Sequence, residues 1–297
     1  MQSKPWLIYA IVTTLFWGLW GAFTGLSAGD FPETLIYVIW AATMIPPAIF
    51  ALNLIGWKLQ CDKKSILLGC IIGVLGAGGQ MILFHTVTIG PTYLIFPILA
   101  LSPIVTVALS FLFLKERTTK LGALGIVLAL TSLQMFEYSS GNEGGDYGIL
   151  WFPLALCVMA AWGIQAYFMK LSNETMHSES IFFYMMITSV LLVPVALLMT
   201  DLSAPTHWNI ASIGLAGGIQ LLNSLGALCL VYAFKYGKAI VVSPMTNAGA
   251  PLITAVIALI VLGVVPGAMK IAGILLALIA ALLLAIEPEE ETIDEVK

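Results

Sequence analysis

The chain is 297 residues long, 60% hydrophobic and only 9% charged, a balance that no soluble globular domain of this length approaches. Its formal net charge of −4 is dominated by the acidic segment 287–295 and identifies no partner. No basic patch interleaved with aromatics points to nucleic acid, and no cofactor or metal is expected, because Cys61, Cys70, Cys157 and Cys229 lack metal-ligand spacing.

Short charged clusters separate long apolar runs, the pattern of an all-α polytopic membrane protein partnered by the lipid bilayer. About 20 apolar residues in a helix cross a hydrocarbon core of roughly 30 Å. Ten transmembrane helices are read, at 6–27, 34–56, 65–88, 91–114, 119–137, 148–170, 179–200, 209–234, 239–262 and 267–286. The first follows Lys4 and is too long for a signal-peptide core, so it reads as a retained span. With the N-terminus inside, Lys4, Lys58, Lys63, Lys64, Lys115, Arg117, Lys120, Lys170, Lys235, Lys238 and Lys297 fall on inner segments. Lys270 alone falls outside, so the positive-inside rule makes both termini cytoplasmic.

Gly90–Glu116 is an apolar run interrupted by Pro97 and Pro103, each of which frees a backbone carbonyl at membrane depth. Gly237–Val264 repeats the design, with Gly237, Pro244 and Pro251 in the matching places and one extra residue between the prolines. Further matches run in order: Trp17-Gly18 with Trp162-Gly163 at a shift of 145, Glu33 with Glu179 at 146, Gly69 and Gly73 with Gly214 and Gly218 at 145, Gly125-Ile126 with Gly273-Ile274 at 148. Each half holds five spans, an odd number, so the second half enters the membrane from the opposite side as an inverted repeat. The expected organisation is a five-helix repeat at 1–138, an outer linker at 139–147, an inverted repeat at 148–286 and an acidic cytoplasmic tail at 287–297. Broken hydrophobic helices at corresponding places in two halves point to a transporter's binding site.

The five-plus-five spans, Trp17-Gly18 and the Phe113-Leu114-Lys115-Glu116-Arg117 ending of the fourth span resemble the drug/metabolite transporter superfamily, EamA type. The resemblance covers nearly the whole chain. It implies two inverted five-helix repeats around a central cavity between spans 1–4 and 6–9, with spans 5 and 10 peripheral. It also puts amino acids and related amines first as substrates; the expected location is a bacterial cytoplasmic (inner) membrane. Val264 stands where Glu116 would repeat, so the Glu116 end is not duplicated.

Polar side chains in mid-membrane face another helix or a cavity. Gln80, Gln220, Asn223 and Asn247, with Gln165, lie near mid-depth, and amides offer both donors and acceptors to a small polar solute. Hydrogen bonding between helices is the alternative use of the same groups. Trp17 and Trp162 are repeat mates away from the interfacial belt, and either pack or stack on a ring or cation. Pro97, Pro103, Pro244 and Pro251 are candidate hinges or gates; Gly69, Gly73, Gly76, Gly78, Gly79, Gly214, Gly217 and Gly218 allow close helix packing. No Asp or Glu lies at mid-depth, and His85 is the candidate for proton coupling, with a structural histidine as its alternative.

The expected function is a secondary transporter, by uniport, exchange or proton coupling, working by alternating access. A non-transporting sensor or scaffold is one alternative. A hydrolase using Ser27 is another, since Gly25-Leu26-Ser27-Ala28-Gly29 fits G-x-S-x-G, with His85, His207 and Asp30 near the same face. That pattern needs a strand–turn–helix context which is missing, so no catalytic residue is assigned. Monomer and homodimer are both left open.

Overall fold

The computed structural model describes residues 4–27, 30–137, 148–201, 203, 206, 209–261 and 267–287; the expected linker 139–147, His207, Val264 and the tail beyond Glu287 lie outside them. The helices are α1 (Pro5–Phe23), α2 (Glu33–Thr43), α3 (Ile45–Leu54), α4 (Lys63–Gly73), α5 (Gly79–Ile89), α6 (Thr92–Leu99) and α7 (Ser102–Leu109). There follow α8 (Lys120–Glu137), α9 (Trp151–Asn173), α10 (Ser178–Leu191), α11 (Val193–Met199), α12 (Ile210–Tyr236), α13 (Ala239–Val261) and α14 (Ala268–Ala285).

Local sequence accounts for many helix ends. Pro5 opens α1, where its missing N–H would have had no partner. Asp62 accepts from the Ser65 N–H at 3.1 Å and Asn209 from the Ser212 N–H at 2.8 Å, capping α4 and α12. Prolines divide the longer runs: α2 gives way to α3 at Met44, just before Pro46-Pro47, and α10 to α11 at Leu192, before Pro194. A π-helical stretch, Val74–Gly78, joins α4 to α5, and another, Ser110–Leu114, follows α7.

Among the described residues eight segments are long and apolar enough to cross a membrane: Pro5–Ser27, Thr34–Leu54, Lys63–Ile89, Trp151–Asn173, Ser178–Met199, Ile210–Tyr236, Ala239–Ile257 and Ala268–Ala285. Ser102–Leu114 and Lys120–Met135 are shorter apolar helices in the places of the fourth and fifth expected spans. The fourth falls short because α6 stops at Leu99 and α7 restarts at Ser102 with Pro103 in its first turn. The matching run, α13, is continuous through Pro244 and Pro251.

α1 lies between α12 and α13, and α9 holds a like place against α4 and α5 on one side and α6 and α7 on the other. Contacts of α12 with α2, α2 with α5, and α7 with α13 close these helices into a ring. α10 packs on α3, α4 and α12, while α8 and α14 pair with each other and touch the ring at α13. One apolar core spans both halves of the chain, from Trp6, Tyr37 and Trp40 to Phe182, Val231 and Phe234. Leu112, Leu198, Ile260 and Leu282 point outward, as residues facing lipid would.

Candidate functional site

Two crossings form the centre. Trp17 donates its indole N–H to the Asn223 carbonyl at 3.2 Å, tying α1 to α12; Trp162 of α9 donates to the Gly76 carbonyl at 3.4 Å. Each indole lies where a side chain on the facing glycine would collide with it: Gly226 under Trp17, Gly79 under Trp162. The residues after the tryptophans press on the other flank. Thr254 Oγ1 of α13 donates to the Gly18 carbonyl at 2.9 Å, and Thr106 Oγ1 of α7 to the Gly163 carbonyl at 3.1 Å. Trp17 and Trp162, Gly79 and Gly226, Thr106 and Thr254 stand at shifts of 145, 147 and 148, so the contacts repeat along with the residues. Glycine permits the approach and the hydroxyl and indole satisfy the carbonyls. Both indole N–H groups are therefore taken up by backbone, and only the half-buried rings remain to meet a solute.

The amides divide into two kinds. Asn223 Oδ1 accepts from Trp40 Nε1 at 3.1 Å and Gln220 Oε1 from Trp20 Nε1 at 3.3 Å, while Asn247 Nδ2 donates to the Ser243 carbonyl of its own helix at 2.9 Å. The structure thus brings Trp17, Gln220 and Asn223 together across α1, α2 and α12. Gln165 rests against Gly76 beside Trp162. Gln80 and Gln165 make no hydrogen bond among the described residues, and both are half-buried, as are Asn223 and Asn247. Trp20 and Trp40 were not among the expected site residues. Trp20 stands one turn beyond Trp17 on the same face of α1, and Trp40 lies inside the second span rather than at its end, which is the signal that would have found both.

His85 is half-buried on α5, and its ring makes no hydrogen bond among the described residues. Pro103 is buried at the start of α7, Pro244 and Pro251 lie inside α13, and Pro97 lies in α6, its side chain outside the described ones. Ser27 is buried in a single 3-10 turn, its hydroxyl donating to the Thr24 carbonyl at 3.3 Å. The glycine expectation holds in part: Gly69 packs under Tyr184 and Gly73 under Thr188, but a side chain added at Gly214, Gly217 or Gly218 would meet no neighbouring helix within 4 Å. The positions that match Tyr184 and Thr188 at a shift of 146 are Val38 and Ala42, which are shorter.

One end of the bundle, carrying Lys4, Lys63, Lys170, Lys235 and Lys238, is laced by polar contacts. Lys115 adopts a left-handed φ of 57°, which ends its helix and turns Glu116 inward. The Glu116 carboxylate accepts from the Ala239 and Ile240 N–H groups, at 2.9 Å each, and so caps α13 from the turn before α8. Glu287, the first residue of the expected tail, is buried within the bundle. It accepts from the Thr119 N–H at 3.1 Å and hydroxyl at 2.8 Å and lies 3.4 Å from Lys238 Nζ. Burial works against the Glu287 charge, but the Thr119 hydrogen bonds and Lys238 outweigh it and hold the carboxyl below the ordinary glutamate range. Gln60 stitches the α3–α4 loop to the α9–α10 loop, accepting from the His177 N–H at 2.6 Å and from the Tyr184 hydroxyl at 2.6 Å.

A protein of known crystal structure superposes on the chain with a TM-score of 0.74 at 16% identity, covering 94% of this chain and 95% of that one, so the two share a fold. Over 79 residues the chain is 33% identical to an uncharacterized protein of Methanocaldococcus jannaschii, a stretch that amounts to 27% of this chain. The match spans 58% of that relative's length. The family model described as the EamA-like transporter family matches twice, over residues 4–136 and 148–286. The chain therefore belongs to the EamA-like transporter family and is an integral membrane protein.

Proposed function

We propose that this is a secondary transporter of a small polar metabolite, amino-acid-like or amine-like, that works by alternating access of two inverted five-span halves. On this reading α6 and α7, with the π-helical stretch after them, act as one broken fourth span, and α8 is the fifth. The lysine-rich end faces the cytoplasm of a bacterial inner membrane. The solute would lie among Trp17, Gln80, Trp162, Gln165, Gln220, Asn223 and Asn247, with Pro97, Pro103, Pro244 and Pro251 as hinges.

The observation that carries the reading is the state of the central amides. In hydrocarbon an amide without a partner costs several kcal/mol, roughly 4–8 on the water-to-alkane scale. Gln80 and Gln165 have no protein partner among the described residues, and Asn223 and Gln220 have none for their NH2 groups. A wet interior between the helices removes that cost, and the same donors then serve a solute. The mated crossings at Trp17 and Trp162 support the two-half arrangement, since both bind the halves to each other.

The test begins with a thermal-shift screen of the purified protein against a metabolite library, followed by flux of the hits in proteoliposomes. Asn223→Ala and Asn247→Ala are expected to cut flux about tenfold with normal membrane insertion, the loss of roughly 1.4 kcal/mol of solute binding. Wild-type flux in both variants would remove these amides from the site. Binding of hits with no flux in any proteoliposome sample would favour a sensor over a transporter.

A further inference from the structure

A second site lies at the lysine-rich end, apart from the central amides. Glu179, the second residue of α10, is 8% exposed, so its carboxylate is enclosed by protein. Oε1 accepts from the Tyr232 hydroxyl of α12 at 2.6 Å, and Oε2 is buried without a donor. Tyr9 of α1 stacks on Tyr232 at 4.9 Å between ring centroids and on Tyr236 at 5.9 Å. α10 and α12 therefore meet at one carboxyl group, and α1 stacks on the tyrosine that holds it. Two of them, α1 and α12, also carry Trp17 and Asn223. Tyr232 lies nine residues beyond Asn223, which at the helical rise is about 13 Å along α12.

Two forces act on this group in opposite senses. Enclosure with one oxygen bare of donors makes the charged form costly. The first turn of α10 and the Tyr232 hydroxyl favour the anion. The charged and titratable neighbours are few: Tyr232, Tyr236, Cys229 and Lys235 on α12, and Tyr9 on α1. α9 and the turn after it bring Lys170 and Glu174 to this end, the start of α1 brings Lys4, α4 and the loop before it bring Lys58, Cys61, Asp62, Lys63, Lys64 and Cys70, and α10 and its N-cap bring His177 and Tyr184; α2, α3, α11 and the Val74–Gly78 stretch bring no charged side chain to this end. A hydrated or organic cation needs room around the carboxylate. A proton needs none, and Oε2 has none.

We propose that Glu179 is a proton-binding site whose loading opens and closes the seam between α10, α12 and α1, and so couples a proton to transport. It rests on the transporter reading above. One proton from water at the lysine-rich end adds to Oε2, the carboxylate becomes a neutral acid, and the charge-assisted bond from Tyr232 weakens to an ordinary one. α10 is then freer to move against α12. Position 232 matches position 85 at a shift of 147, so His85 occupies the corresponding place in the other half, toward the opposite end.

The experiment is an infrared difference spectrum, acid minus alkaline, of the purified full-length protein in lipid without solute. The wild type is expected to show a protonated-carboxyl band that Glu179→Gln abolishes, since the amide keeps the Tyr232 contact and cannot titrate. Tyr232→Phe, which removes a donor to the anion, is expected to move the midpoint of that band to higher pH and its frequency upward. A band undiminished in Glu179→Gln overturns the site. If that variant does not fold, a band unchanged in both midpoint and frequency in Tyr232→Phe overturns it instead. A band that follows sodium concentration at fixed pH overturns the proton as ligand. Flux in proteoliposomes is scored separately: flux without the band removes the proton site alone, and the band without flux removes the transporter reading alone.

Discussion

Gly69 and Gly73 of α4 and Gly214 and Gly218 of α12 occupy matching places in the two halves, yet the first pair is covered by Tyr184 and Thr188 and the second is open. The centre of the molecule behaves otherwise. There the crossings at Trp17 and Trp162 match contact for contact, down to the threonine hydroxyls on Gly18 and Gly163. Similarity is thus confined to the middle, and the ends differ: the lysine-rich end is stitched by Gln60, Glu116, Lys238 and Glu287, and its apolar seam is shut. Under the inverted arrangement proposed above, a shut end opposite an open one is one state of an alternating-access cycle. The matched centre would act as the pivot, and the unmatched ends would decide which side the solute sees.

The largest expected effect breaks the centre. Gly79→Leu and Gly226→Leu each drive a side chain into an indole and are expected to cost about 3 kcal/mol. Thermal denaturation in detergent should show equal losses; a loss in only one would mean that the crossings are not mates. Next comes the latch. Glu116→Ala strips two buried N–H groups of α13 of their acceptor, an expected cost of about 2 kcal/mol. Hydrogen exchange should quicken at Ala239 and Ile240 and leave the centre of α13 protected. The seam itself gives a smaller and sharper contrast. Gly69→Ala is expected to destabilise by about 1 kcal/mol, because Tyr184 must move. Gly214→Ala, in open space on a helix, is expected to stabilise by up to about 1 kcal/mol. Losses of the same sign at both positions would mean that the seams do not differ.

Much of this was legible before any coordinates. Helix content and the doubled design follow from hydropathy and from ordered matches such as Trp17 with Trp162, because those properties are written residue by residue. Where Pro97 and Pro103 would break the chain was less legible. Seven residues part Pro244 from Pro251 and set them nearly on one face of a helix, whereas six part Pro97 from Pro103 and turn them about 120° away, so that the two distortions do not add in one direction. The partners of the amides were not legible, since Asn223 with Trp40 and Gln220 with Trp20 lie about 180 and 200 residues apart in the chain. Nor was Glu287. Acidic neighbours made it look like tail, and only the fold brings Thr119 and Lys238 to it.

Glu287 also offers the finest test of how the lysine-rich end is held. Its carboxyl lies below the ordinary glutamate range in the folded protein, so the unfolded chain binds its proton more readily. The stability that follows is complete above the ordinary range, near 4.3, and is lost as the pH falls through the lowered value. Glu287→Gln is therefore expected to lower the melting temperature at neutral pH, by an amount equivalent to about 1 kcal/mol, and the gap to the wild type should narrow once the pH falls below the ordinary glutamate range. Salt separates the two holders. Lys238 is only 16% exposed and its attraction is modestly screened, whereas the Thr119 hydrogen bonds are scarcely screened at all. A gap that survives high salt assigns the effect to Thr119 and the start of α8. One that collapses assigns it to Lys238, and makes the lock on this end an electrostatic one.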